Sequence, residues 1–169
     1  MIDQLSGHLT EQVIQEIVDT ILRQYRTYRA HTGSDAYREL FSEVYSAHRR
    51  EHSLSWAINS AFPDGKRFSS GIEVSVHQDG GNHRRPVLRS DNIVIFILNN
   101  TTNYHAKYLK EQYALNRFDF SGDTLFCYIK YIEKEEQLFE LSLCLPDENG
   151  VVVAQEMLKD EDAILQLVA

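Results

Sequence analysis

The spacing of apolar residues changes at the turn Pro63-Asp64-Gly65, and this change limits the chain to a few fold classes. Before the turn, apolar residues recur every three or four positions, which is the spacing of one face of a helix. After the turn, Ile72, Val74 and Val76 alternate with polar residues, as in a half-buried strand. Helices followed by strands are typical of α+β proteins, so we predict an α+β fold with a mostly antiparallel sheet.

Helices are predicted on both sides of the turn. Thr10 supplies the N-cap of the first helix, and Gly33 marks its end. A second helix begins at Ser34 or Asp35. Three shorter helical segments are predicted over 53–58, 103–115 and 160–167. The first of these either continues the second helix or forms a third one.

The sheet is predicted from five apolar runs, over 72–76, 92–98, 125–132, 138–145 and 151–153. The second run is apolar at successive positions, so we place it in the centre of the sheet. The three prolines lie beside turn residues and are assigned to loops: Pro63, Pro86 and Pro146. We therefore predict one domain over 1–169. A sheet of about four to six strands (about residues 68–155) is covered by N-terminal helices (about residues 10–62), with one helix inserted between strands.

Composition excludes several classes of protein. Hydrophobic residues make up 43% of the chain and charged residues 25%, which is unlike an intrinsically disordered sequence. No apolar run reaches the ~20 residues of a membrane span, and the N-terminus lacks a signal-peptide pattern, so we expect a cytoplasmic protein without membrane contact. Cys127 and Cys144 fall in predicted strands. We expect two buried thiols, with a cross-strand disulfide as the alternative.

The pattern His48-Arg49-Arg50-Glu51-His52 suggests a zinc site. On a helix, His48 and His52 would share one face and could ligate Zn²⁺, with Glu51 as a general base. The pattern resembles the H-x-x-E-H signature of the inverted zinc-peptidase family, and the resemblance implies a third, downstream carboxylate ligand. The candidates for that ligand are Glu133, Glu135 and Glu136. In the alternative interpretation, His48 ends the apolar stripe of a helix and its charged neighbours face water.

A second pattern lies near the end of the first helix. Arg26 is followed, after four residues, by His31. This spacing resembles the active-site string of the HEPN ribonucleases. The resemblance implies an all-helical fold in which the histidine acts as an acid or base and the arginine stabilises phosphate charge. The alternative is a basic helix end that the helix dipole favours.

The middle of the chain is basic. Residues 81–118 carry six Lys/Arg and two Asp/Glu, with three tyrosines interleaved. Arginines contact phosphates and aromatic rings stack on bases, so the region 83–117 is a candidate RNA-binding region. For a metal-independent, toxin-like ribonuclease, the candidate catalytic residues are His83, Arg84, Arg85 and His105. In the alternatives, this region is a solvated loop or contacts the acidic C-terminal third of the same fold.

The C-terminal third is acidic, with three Lys/Arg and twelve Asp/Glu in residues 119–169. The acidic end could meet a basic partner through complementary charge or mimic the charge of a nucleic acid, and it includes Glu156, Asp160, Glu161 and Asp162. In the alternative interpretation, it is only a solvated face. Neither a phosphate-binding loop nor a nucleophile elbow occurs in the sequence, and no cofactor is expected. The leading hypothesis is therefore a small protein-binding or regulatory module with a protein partner. The ribonuclease is the alternative, and zinc binding through His48 and His52 is a weaker one.

Overall fold

Three α-helices, one 3₁₀ turn and six β-strands make up the computed structural model. It describes residues 9–32, 53–78, 84–90, 93–99, 125–134, 137–147 and 151–168. The helices are α1 (Glu11–Thr32), α2 (Leu54–Ser60) and α3 (Glu161–Val168), and the 3₁₀ turn is Ser69–Gly71. The strands are β1 (Glu73–Gln78), β2 (Arg84–Ser90), β3 (Ile93–Asn99), β4 (Leu125–Lys134), β5 (Gln137–Pro146) and β6 (Val152–Lys159). In these ranges, no helix is long and apolar enough to cross a bilayer.

The six strands form one mixed sheet in the order β1-β2-β3-β4-β5-β6. Every neighbouring pair is antiparallel except β3 and β4, which run parallel. The predicted α+β class and the predominance of antiparallel pairing are therefore confirmed. The central position of β3 is confirmed as well, because six of its seven side chains are buried, as expected for a strand with apolar neighbours on both faces.

The two faces of the sheet belong to two separate apolar cores. The first face contributes Ile95, Ile129 and Leu143 to a core that also contains the buried residues of α1 and α2 and Ile164 of α3. On the second face, the Phe96 and Phe126 ring centroids lie 5.2 Å apart. Among the described residues, the second core consists of Val87, Val94, Phe96, Leu98, Phe126, Tyr128 and Cys144. The helices predicted from Ser34 and over 103–115 lie outside the described residues.

Side-chain caps fix the starts of α1 and α2. The Thr10 hydroxyl accepts a hydrogen bond from the Val13 amide at 3.3 Å, and α1 ends at Thr32, as predicted from the following glycine. Ser53 has an extended backbone, and its hydroxyl accepts from the Trp56 amide at 3.2 Å. A capped, extended residue cannot continue a preceding helix, so α2 is a separate short helix.

Strand β2 was not predicted, and two prolines lie in strands where loops were expected. Val87 and Leu88 of β2 are buried on opposite faces of the sheet, so this strand lacks the alternation by which strands are recognised. Pro86 pairs with Val76 of β1, whereas the ladder with β3 begins only at Val87. A residue without an amide hydrogen is tolerated beyond that ladder. Pro146 is the last residue of β5, and β6 extends well beyond the predicted end at Val153.

The carboxylate of Glu16 fastens the 3₁₀ turn to α1. It accepts hydrogen bonds from the backbone amide of Ser69, at 2.9 Å, and from the Ser69 hydroxyl. These two bonds, together with one from Gln12, favour the ionised carboxylate and lower the pKa of Glu16 below its ordinary value. The turn leads directly into β1, so this contact positions the first strand of the sheet relative to α1.

The lowered pKa of Glu16 predicts a pH dependence of stability. A depressed folded-state pKa stabilises the fold above the unfolded pKa of about 4.3, and this contribution is lost as the pH falls through the folded-state value. We expect Glu16→Gln to unfold at a lower urea concentration than the wild type at pH 7, with a smaller difference at acid pH. Urea titrations at several pH values test this. Exposed Glu11, on the same helix, is the control position, and an equal pH dependence in Glu16→Gln and wild type would contradict the role of Glu16.

Candidate functional site

The structure describes only part of the residues that the sequence singled out. His48, His52, His83 and His105 lie outside the described residues. Arg84 and Arg85 are the first two residues of β2, where they pair with Gln78 and His77 of β1. The two arginines are therefore held in a strand of the sheet, and the solvated-loop alternative does not apply to them.

Polar residues of four elements meet at one end of the sheet. Asn99, the last residue of β3, donates a hydrogen bond to the Glu133 carboxylate at 2.9 Å, and it pairs with Tyr131 of β4. Arg85 lies at this end because β2 runs antiparallel to β3. The Tyr131 hydroxyl lies 2.7 Å from the hydroxyl of Ser55 on α2. These five residues, Ser55, Arg85, Asn99, Tyr131 and Glu133, are called the polar sheet end below.

Tyr131 is the buried member of the polar sheet end. Its side chain is almost fully enclosed, and this burial is the main reason that its pKa is raised. The hydrogen bond with Ser55 acts in the opposite direction, Glu133 raises the pKa further, and Arg85 lowers it. A phenol with a raised pKa stays protonated at neutral pH. Tyr131 therefore joins α2 to the sheet as a neutral hydrogen-bonding group.

The HEPN-like pair does not form a site. Arg26 and His31 are both exposed on α1. Five residues along an α-helix correspond to a rotation of about 140°, so the two side chains point to different sides of the helix. The six-stranded sheet also contradicts the all-helical fold that this resemblance implies. The pattern is therefore a basic helix end, with Arg29 and His31 in the last turn of α1.

Of the residues proposed as ligands of the zinc site, the structure describes only Glu133. Glu133 lies near the end of β4, and its carboxylate accepts from Asn99. The other two carboxylates proposed as a third ligand, Glu135 and Glu136, lie outside the described residues. Within the described ranges, no three His, Cys, Asp or Glu side chains are grouped so as to hold a metal ion.

The two cysteines lie on opposite faces of the sheet. Cys127 belongs to the first core and Cys144 to the second, although Cys144 pairs with Tyr128, the next residue after Cys127. Both thiols are free and buried. Burial raises the pKa of Cys127 to about 12 and raises that of Cys144 as well, so both remain protonated. The buried-thiol prediction is confirmed, and the alternative disulfide is excluded because the side chains point in opposite directions.

A hydrogen-bonded polar cluster crosses the second face of β4, β5 and β6. The Lys130 ammonium lies 3.7 Å from the Glu140 carboxylate, which also accepts hydrogen bonds from Ser142 and Gln155. Ser142 is completely buried, and the Gln155 amide lies 3.3 Å from its hydroxyl. Because these groups satisfy one another, the cluster carries no uncompensated charge. We refer to these four residues as the second-face polar cluster.

The two edges of the sheet differ in how their backbones are covered. The turn that precedes β1 forms hydrogen bonds with the outer edge of this strand. The Val74 amide donates to the Lys66 carbonyl at 2.7 Å. The Val76 amide donates to the Asp64 carboxylate at 3.0 Å. Strand β6, at the other edge, pairs with β5 and with no other described strand.

Apolar side chains along β6 are unusually exposed. Val153 is 62% exposed and Met157 is 57% exposed, and Val152 is exposed as well. Val151, which directly precedes the strand, is also exposed. Single exposed apolar residues are common, but a row of them along an edge strand is typical of an interaction site. In the sequence, this exposed apolar surface corresponds to the valine run 151–153, from which only a short strand was predicted.

The bond between Ser55 and Tyr131 leads to a stability prediction. We expect Tyr131→Phe and Ser55→Ala each to lower the free energy of unfolding, and the double variant to lose less than the sum. The expected coupling is about 1 kcal/mol, the usual net value of one hydrogen bond. Urea unfolding of the four proteins measures it. Ser60→Ala, on the same helix, is the matched control and should combine additively with Tyr131→Phe, whereas a coupling near zero for Ser55 would contradict the bond.

Comparison of the chain with protein-family models, with curated proteins and with solved structures finds no match. The function is therefore inferred from two features of this chain: the edge strand β6 with its exposed apolar side chains, and the polar sheet end with Arg85.

Proposed function

We propose that this protein is a protein-binding module that receives an extended segment of its partner along strand β6. The observation that carries the proposal is the contrast between the two sheet edges: β1 is covered by its own preceding turn, whereas β6 combines an edge position with exposed Val153 and Met157. Addition of a strand to an exposed edge is a common mode of peptide recognition, in which backbone hydrogen bonds give affinity.

The apolar side chains of β6 would supply the other part of the affinity. Burial of a complete valine or methionine side chain contributes about 1.5–3 kcal/mol. Val153 and Met157 are already partly covered in the free protein, so each would contribute about 1 kcal/mol when a partner segment encloses it. These gains offset the entropy that an extended segment loses when it is ordered on the edge.

The charge around β6 favours a basic partner over a second copy of the chain. Glu156 lies within β6, and Asp160, Glu161 and Asp162 follow it directly. Two copies of the chain, each with a formal net charge of −8, repel each other at long range. In a symmetric antiparallel pair centred on Glu156, the two Glu156 carboxylates would also face each other, and like charges across a strand pair are destabilising. Lysine or arginine in the partner would instead meet opposite charge, which speeds association and gives specificity.

We also infer that the N-terminal helices cover the first face and so restrict binding to the edge. The support is that buried side chains of α1 and α2, among them Ile17, Ile21 and Ile58, share one apolar core with the first face of β3, β4 and β5. A sheet supported in this way presents a rigid edge strand. A rigid strand loses little entropy on binding, which increases affinity for a given set of contacts.

A defined peptide probe tests the proposal. We expect a ten-residue peptide of alternating valine and lysine to slow amide hydrogen exchange over 152–157 in the full chain. The covered edge strand, 73–78, is the internal control and should not change. We further expect Val153→Lys and Met157→Lys to weaken binding about tenfold each, because a charged side chain on an edge strand discourages pairing and repels the basic probe.

Trp56→Lys is the matched control variant, because Trp56 is also an exposed apolar residue but lies on α2. It should bind the peptide like the wild type. Protection at 73–78 instead of 152–157, or equal loss of binding in all three variants, would contradict a role for β6. A dimer detected by light scattering that is lost in Val153→Lys would show that a second copy occupies the edge, and would also contradict the proposal.

The polar sheet end favours a second candidate function, ribonuclease activity. The specific observation is that Arg84 and Arg85 lie at the end of the sheet at which β3 finishes. The last residue of β3, Asn99, is six residues before His105 in the chain. In this proposal His83 and His105 act as acid and base, and the arginines stabilise phosphate charge.

Cleavage of a labelled RNA oligonucleotide by the purified protein tests the ribonuclease candidate. We expect His83→Ala and Arg85→Ala each to reduce the rate at least about 100-fold, the usual contribution of a general acid or base or of one charge-stabilising group. Arg89→Ala is the control, because Arg89 is exposed on the same strand but pairs with Glu73 at the opposite end of the sheet. Cleavage that persists unchanged in both active-site variants would come from a contaminant and would end this candidate.

A further inference from the structure

We propose that the segment bound by β6 alternates apolar and basic residues, with the apolar side chains on the second face of the sheet and the basic ones on the first. This inference rests on the proposed function and specifies the chemistry of the partner. Residues that face each other across a strand pair point to the same side of the sheet, so the two sides of β6 determine what each side of the added strand meets.

On the second face, β6 offers apolar contact. Gln155 pairs with Cys144 and Met157 with Ser142, so both point to the second face. Val152 pairs with Pro146, two residues after Cys144, and points to the same face, whereas Val153 lies at a register shift between them. Val152 and Met157 are the exposed apolar residues of this row. Next to them lies the second-face polar cluster, in which the charges of Lys130 and Glu140 compensate each other. A charged partner residue would therefore meet a charge pair that is already compensated, whereas an apolar one would cover Val152 or Met157.

On the first face, β6 offers negative charge. Glu156 pairs with Leu143, a first-core residue, so Glu156 points to the first face. Helix α3 packs on the same face, because Ile164 is buried in the first core. Its N-terminus brings further carboxylates to this side, Asp160, Glu161 and Asp162. Lys159 pairs with Leu141 and lies on the same side, so the described residues of this group carry four carboxylates and one ammonium.

The alternation of apolar and basic residues in the partner follows from the different chemistry of the two sides of β6. Successive residues of a strand alternate between faces, and a shift of one residue exchanges the faces completely. An alternating peptide can choose the register that places all its apolar residues on the second face. A ten-residue peptide with the repeat valine-valine-lysine-lysine, begun at the second valine of the repeat, has the same composition. In every register it places about half of each type on the wrong face.

Binding of these two ten-residue peptides to the full chain, measured by fluorescence anisotropy, tests the inference. We expect the alternating peptide to bind at least about tenfold more tightly than the paired-repeat peptide. Addition of salt should reduce this difference, because the contacts on the first face are exposed ion pairs. In Glu156→Gln, the alternating valine-lysine peptide should bind several-fold more weakly, while an alternating valine-serine peptide should bind as it does to the wild type.

The outcomes separate this inference from the proposed function. Equal binding of both valine-lysine peptides, with exchange protection over 152–157, would overturn the alternation and leave the binding edge in place. Binding of neither peptide would overturn both proposals. Tighter binding of the alternating peptide that is insensitive to Glu156→Gln and to salt would overturn the assignment of the basic side chains to the first face.

Discussion

Strands β3 and β4 run parallel at the centre of the sheet, and the rest of the fold depends on burying both of their faces. A parallel pair is stable in proteins when apolar layers cover it on both sides. Ile95 and Ile129 meet the first core, while Phe96 and Phe126 meet the second. Because the centre is closed in this way, the sheet presents its groups to other molecules at its strand ends and edges. The two candidate sites, the polar sheet end and β6, lie at these positions.

The parts of the fold that could be predicted are those in which local pattern and tertiary packing agree. Helix α1 has a side-chain cap at Thr10 and a helical apolar stripe, and the same stripe is buried in the first core. Strand β3 is apolar at successive positions because both faces are covered. Strand β2 is also buried at successive positions, but only at Pro86, Val87 and Leu88, and its proline and arginines are typical of loops. Its place in the sheet comes from pairing with β1 and β3, which the sequence does not display.

Strand register determines which side chains of the candidate sites lie next to each other, and the sequence does not display register. The second-face polar cluster joins residues up to 25 positions apart, and its contacts are 3.7 Å or shorter. A register shift between Leu141 and Ser142 decides which residues of β6 lie beside it. Conversely, Arg26 and His31 are close in sequence but point to different sides of α1. Spacing along the sequence and position across the sheet therefore bring different residues together.

The difference between the two sheet edges is the strongest sign that β6 has a binding role. An uncovered edge strand is a liability, because its backbone can pair with other chains, and proteins usually protect such edges with turns or charged residues. This chain does so at β1, where the turn bonds the backbone at Val74 and an ion pair joins Arg67 to Glu73 at 3.1 Å. At β6, valines and a methionine occupy the corresponding exposed positions. In the proposed function, the negative charge around this edge attracts a basic segment, while two copies of the acidic chain repel each other at long range. An edge strand with exposed apolar side chains beside negative charge is what such a binding module requires.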